Sequence, residues 1–149
     1  MITVAADTPH DPQATALLRQ SHALMASLFP PKDNYFLDIN DLTAPHIHFY
    51  TAREGRTVLG TGALAIKDGY GEVKSMFVAE DARGKGVAQA ILRQIADQAR
   101  AEGLPMLKLE TGNLLHDAHR LYRAFGFTDC GVFGDYQNAQ SSLFMEKPL

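Results

Sequence analysis

A single cysteine, Cys130, stands among 149 residues, so no disulfide can close within the chain. No apolar stretch approaches the roughly 18 residues a membrane-spanning helix needs, and no basic, apolar leader opens the sequence. A soluble protein of the reducing cytoplasm is the expectation. Surplus positive charge is missing too, since 14 Lys and Arg face 17 Asp and Glu for a net charge of −3. That excludes a bulk field able to hold nucleic acid or an anionic membrane, so neither is an expected partner and any anion binding must be local. Repeats, low-complexity tracts and linkers are lacking, and 46% hydrophobic residues suffice for one core, so residues 1–149 are expected to form one domain.

What the chain does contain is a β-type run, Val73 to Val78, that leads into the turn Arg83-Gly84-Lys85-Gly86 and then directly into an amphipathic helix from Val87. A helix start leaves amide N–H groups without intrahelical partners and carries the positive end of the helix dipole, and glycines let the backbone approach a ligand closely. The combination predicts a diphosphate cradle. A Walker-type nucleotide loop is excluded, because the turn lacks the earlier glycine and the Ser or Thr that would follow the lysine.

Around this motif the chain reads as alternating strands and helices. Ile2 to Ala6 predicts a strand, and Asp11-Pro12 a helix start running to about Phe29 before Pro30-Pro31 stops it. Pro31 to Pro45 predicts a loop with room for a short helix at Asp41. Strands follow at His46 to Arg53, Val58 to Lys67 and Gly71 to Val78, punctuated by Glu54-Gly55-Arg56 and Asp68-Gly69. The helix from Gly86 to Glu102 carries Val87, Ile91, Ile95 and Ala99 on one stripe, with Leu92 and Ala96 widening it. Gly103 and Pro105 end it, and the strand Met106 to Glu110 completes a crossover unit expected to be right-handed. A shorter helix, His116 to Ala124, closes at Gly126, and Phe127 to Val132 and Ser142 to Lys147 predict two last strands.

This order of elements, together with Arg83-Gly84-Lys85-Gly86-Val87-Ala88, resembles the GNAT superfamily of acyl-CoA-dependent N-acyltransferases, whose signature is (Gln/Arg)-x-x-Gly-x-(Gly/Ala). Leu121-Tyr122-Arg123-Ala124-Phe125-Gly126-Phe127 is similar to that family's later helix and turn. The resemblance implies an α+β fold in three layers, α/β/α, with a mixed, mostly antiparallel sheet of about seven strands and about four helices, splayed between strands four and five. It also implies an enzyme that moves an acetyl group from acetyl-CoA to a primary amine of a small molecule, amino acid or peptide by direct attack.

The resemblance further assigns parts. Backbone around Phe77 and Val78 would bind pantetheine, amides of Arg83, Gly84, Lys85, Gly86, Val87 and Ala88 the pyrophosphate, and Asn113 would also touch the pantetheine. Tyr122 would supply a proton to the leaving thiolate and Glu72 would accept one from the amine, with Glu110 as the alternative base. Strand alternation places Glu72 on one face with Lys74, Met76 and Val78. Tyr35, Asp38, Asp135 and Tyr136 are candidates to line an acceptor pocket, and His119 to contact substrate or relay a proton. His46 with His48, and His116 with His119, share faces but lack a completing ligand cluster, so no metal is expected. Cys130 reads as buried filler. A catalytically inactive acyl-CoA-binding module and an unrelated phosphate-binding domain are the alternative readings, and a homodimer is compatible with the family.

Overall fold

The computed structural model describes residues 1–149. Its elements in chain order are β1 (Ile2–Ala6), α1 (Pro12–Leu28), β2 (Ile47–Glu54), β3 (Thr57–Ile66), β4 (Gly71–Val78), α2 (Val87–Ala101), β5 (Met106–Gly112), α3 (His116–Phe125), β6 (Thr128–Asp129) and β7 (Ser142–Pro148). Asp11 starts α1 as expected: its Oδ2 accepts from the amides of Gln13 and Ala14 at 3.0 Å each, and Pro12 occupies the first helical position. The seven strands form one sheet in the order β1-β2-β3-β4-β5-β7-β6. All of its pairings are antiparallel except β4 with β5.

Two apolar layers clamp the sheet. On one face Ala14 and Leu18 of α1 pack with Leu42, Phe49 and Ala63. On the other, the predicted stripe of α2, Val87, Ile91, Leu92, Ile95, Ala96 and Ala99, is buried against Leu64, Val73, Leu107 and Leu109, with Tyr122 and Phe127 completing the layer. Each large aliphatic side chain removed from water this way contributes about 1.5–3 kcal/mol. β3 is covered on both faces, so it is buried without a break from Val58 to Ala65, Thr61 included, rather than at alternate positions.

The sheet forks where β4 meets β5. Only Gly71 opposite Leu107 and Glu72 opposite Lys108 are paired, and beyond them the strands part. β4 also bends against its other neighbour. Lys74 lies opposite Ala63 and Phe77 opposite Thr61, leaving Ser75 and Met76 to face Gly62 alone. Such a bulge kinks a strand and adds twist. Ser75 takes a left-handed φ of 57°, unusual for a non-glycine residue, and Thr61 Oγ1 holds it by donating to its carbonyl at 2.9 Å.

The bulge corrects one expectation. Met76 lies on the α2 face, since a Cβ built on Gly62 would fall 2.7 Å from Met76 Sδ and 2.4 Å from Ile91 Cγ2. It therefore does not share a face with Glu72 and Lys74, because the extra residue breaks the alternation. Two other details differ. There are three α-helices instead of about four, with short 3-10 turns at Pro31–Asp33, Asp41–Thr43 and Glu80–Ala82. The strand expected from Phe127 to Val132 shrinks to Thr128–Asp129 at the sheet edge, where only one neighbour offers a ladder.

Candidate active site

The fork opens into a cleft of about 670 Å³. Phe77 and Val78 of β4, Arg83, Gly84, Gly86, Val87 and Ala88 of the turn and helix start, and Tyr122 of α3 all line it. Gly84 and Gly86 have φ of 80° and 79°, and a Cβ on either would meet nothing within 4 Å. Backbone angle, not crowding, therefore explains these glycines, and the space above them is free for a ligand. Gly86 caps α2 without any side chain bonding the first-turn amides, which leaves them available to an anion. β4 pairs with β3 through Phe77 and Val78, while its other edge, past Glu72, faces the cleft unpaired. An extended chain carrying amides can add to such an edge. Lys85 and Asn113 do not line the cleft; Asn113 is exposed, donates from Nδ2 to Gln140 O at 3.3 Å, and bonds Ser141 O through its amide at 2.8 Å.

A smaller cavity of about 130 Å³ adjoins the cleft, and Met25, Met76, Leu115, Ala118 and Tyr122 line both. Its polar lining includes Ser21, Asp33, Lys74, Ser75, Glu110 and Ser141. Burial, with Glu110 adding its charge, pushes the Tyr122 phenol far above its ordinary range, so it holds its proton at neutral pH. Burial also raises the Glu110 carboxyl, against the lowering effect of a hydrogen bond from Ser142 Oγ at 2.9 Å and of the Lys74 charge. Ser75 Oγ is buried without a hydrogen-bond partner.

Glu72 belongs to neither space. It is 3% exposed and lines a third cavity, of about 520 Å³, with Tyr35, His46, Lys67, Asp135 and Tyr136. Tyr136 donates its hydroxyl proton to Glu72 Oε2, and Lys74 Nζ lies 3.5 Å from the same oxygen. Lys74 Nζ also donates to Tyr136 Oη at 2.8 Å and to Tyr35 O at 3.1 Å, so one ammonium joins β4 to the loops on either side. Burial, then the Glu72 charge, pushes the Tyr136 phenol strongly upward. The Tyr35 and Tyr136 rings meet edge to face, with centroids 5.0 Å apart. Ser141 Oγ ties the same two loops together by donating to Asp33 Oδ2 at 2.8 Å.

The remaining candidates fall elsewhere. His119 Nε2 bonds Gly112 O at 2.8 Å, fastening α3 to the end of β5. Asp38 Oδ1 accepts from the amide of Asp41 at 2.8 Å as a local turn. His48 lies 3.4 Å from Glu102, and Cys130 is half-buried rather than core. Lys74, Asp33 and Ser75 were not singled out from the sequence. Nothing local distinguishes a strand lysine or a loop aspartate that converges on a partner far along the chain.

The glycine turn, the forked sheet and Tyr122 correspond to the part of the chain that a family model matches: residues 15–127 fit the acetyltransferase (GNAT) family. This chain belongs to that family. A relative named IAA acetyltransferase, from Azospirillum brasilense, is 43% identical to this GNAT protein over 99% of this chain and 98% of its own length. Among solved structures, a Klebsiella pneumoniae protein assigned as an acyl-CoA N-acyltransferase superposes with a TM-score of 0.83 at 28% identity, covering 100% of this chain and 98% of that one. PaiA N-acetyltransferase from Thermoplasma acidophilum, solved with coenzyme A, shares the fold with a TM-score of 0.78 at 15% identity, over 100% of this chain and 99% of that one. The GNAT match stops at Phe127, so the loop bearing Tyr136 lies beyond it. No helix of the protein is long and apolar enough to cross a membrane.

Proposed function

We propose that this GNAT protein is an N-acetyltransferase that carries an acetyl group from acetyl-CoA to a primary amine by direct attack within a ternary complex. One observation carries the reading: Tyr122 lines both the cleft that the glycine turn and uncapped start of α2 also line and a small charged cavity that adjoins it. Acetyl-CoA, when bound, supplies an acetyl thioester, and the residues that fit it are the amides of Arg83 to Ala88 and the free edge of β4 near Phe77 and Val78. The chain's own contribution is placement. Holding both reactants in one cleft removes translational freedom before bonds change. Tyr122, protonated and buried, is positioned to give its proton to a departing sulfur.

The charge of the small cavity favours a cationic acceptor. Asp33 and Glu110 face it, while Lys74 is already offset by Glu72. An ammonium of a small amine, an amino acid or a peptide N-terminus suits that balance. The relative's name adds IAA to the acceptors worth assaying.

Calorimetry with acetyl-CoA, combined with a thiol-release assay across a panel of amines, tests the proposal. The expected result is binding in about the micromolar range and thiol release with at least one amine. Absence of both acetyl-CoA binding and competition by CoA overturns it. Binding without release from any acceptor makes the protein an acyl-CoA-binding module instead.

A further inference from the structure

We propose that Glu110, not Glu72, is the carboxylate that takes the proton from the acceptor's ammonium. The statement rests on the N-acetyltransferase reading above and adds the base that reading leaves open. Geometry separates the two acids. Glu110, on β5, lines the 130 Å³ cavity in company with Tyr122 and Ser75. Glu72, on β4, lines the cavity on the other side of Lys74, away from Tyr122. Their hydrogen bonding differs as well. Glu72 Oε2 receives both the Tyr136 hydroxyl and the Lys74 ammonium. Glu110 has one protein donor, Ser142 Oγ on Oε2, which leaves Oε1 for a substrate N–H. Glu72 is thus a positioning residue: it anchors Lys74 and the Tyr136 loop that wall the acceptor space.

The surroundings of Glu110 suit a base working near neutral pH. Burial raises its carboxyl, and Glu72 of β4 and Asp33 of the loop after α1 act in the same direction. Ser142 of β7 and Lys74 of β4 oppose them and keep the ionised form within reach. Tyr122 of α3 and Tyr136 of the last loop also face it, and both remain uncharged because burial raises their phenols. A base whose affinity for protons is lifted toward the working pH is the more effective one.

The protons balance. An N–H bond of the ammonium breaks, an O–H bond forms on Glu110, and the nitrogen keeps the lone pair with which it attacks. Glu110 passes that proton to solvent. The second proton shed by nitrogen replaces the one that Tyr122 gives to sulfur, so one proton is released per acetyl group moved.

The test measures kcat/KM against pH for the parent protein, Glu110→Gln, Glu72→Gln and Ser142→Ala, with acetyl-CoA affinity determined for each. A limb due to the acceptor's own amine is common to all and moves with the amine chosen. The parent should show a further limb below it. Glu110→Gln should lose that limb and about 100-fold or more in kcat/KM, the usual scale for a lost general base, with acetyl-CoA affinity unchanged. Glu72→Gln should keep the limb, and its loss should fall mainly on the acceptor KM. Ser142→Ala removes a donor that favours the ionised carboxylate, so the limb should move to higher pH. If Glu110→Gln keeps the limb, or Glu72→Gln loses it, the assignment is wrong. Should Glu110→Gln fail to fold, an unmoved limb in Ser142→Ala overturns it equally. A parent protein that binds acetyl-CoA but releases no thiol with any amine overturns the proposed function together with this inference, whereas a retained limb overturns this inference alone.

Discussion

The glycine-turn end of the large cleft and the space around Lys74 are built in opposite ways. The first is backbone from one short stretch, Arg83 to Ala88, shaped by two left-handed glycines and an uncapped helix start. The second is side chains from segments far apart in sequence: Ser141 reaches Asp33 across 108 positions, and Tyr136 reaches Glu72 across 64. A cradle of amides tolerates almost any side chain that leaves φ alone. A box of converging side chains changes character with each substitution. Under the proposed function, the first arrangement would serve what is common to acyl transfer, and the second would be free to define the acceptor.

Four variants sharpen or break this contrast. The largest effect should come from the residue shared by both spaces. Tyr122→Phe should lower kcat by about 100-fold, the scale of general acid assistance, and leave acetyl-CoA affinity unchanged in calorimetry; an unaltered kcat removes Tyr122 from the chemistry. Next, Gly84→Ala combined with Gly86→Ala imposes about 1–2 kcal/mol of left-handed strain per residue. Acetyl-CoA affinity should then fall about tenfold or more, while Lys85→Ala changes it no more than about threefold. Equal losses from both would mean that the lysine side chain, not the peptide groups, grips the ligand.

The smallest effect on the cofactor, and a selective one on the acceptor, belongs to Tyr136→Phe. Losing the hydroxyl removes one donor from Glu72 and one acceptor from Lys74, which keep each other and Tyr35 O as partners, at a stability cost of about 1–3 kcal/mol for buried charged groups. The acceptor KM should rise while the acetyl-CoA dissociation constant stays put. A change in acetyl-CoA binding instead would show that the two spaces are not built independently.

The same contrast explains what could be read from the sequence. Helix α2 announced itself through Val87, Ile91, Ile95 and Ala99, and the glycine turn through local chemistry, because every determinant lies within a few residues of the next. Asp11-Pro12 was equally legible as a helix start. The reach of Tyr136 to Glu72 was not, since a tyrosine in a polar loop carries no mark of a partner in a strand near the middle of the chain. Glu110 stood in the sequence only as the alternative base, because nothing local shows that β7 brings Ser142 to it and the loop after α1 brings Asp33 nearby. The bulge escaped notice for another reason. A serine with φ of 57° gives no composition signal, whereas a glycine there would have drawn attention.

That one surplus residue in β4 has a genetic corollary. Deleting Ser75 leaves the glycine motif, the tyrosine and both acids untouched, so any alignment of motifs would score the shortened protein as intact. Yet the shortened strand would run straight alongside β3, with Phe77 still opposite Thr61 and Val78 opposite Gly60, and would lose the kink and added twist that turn β4 away from β5 at the cleft. Strand length at this point is therefore as much a determinant of activity as any named side chain, and a loss-of-function deletion there should leave the helices and the melting behaviour largely as they were.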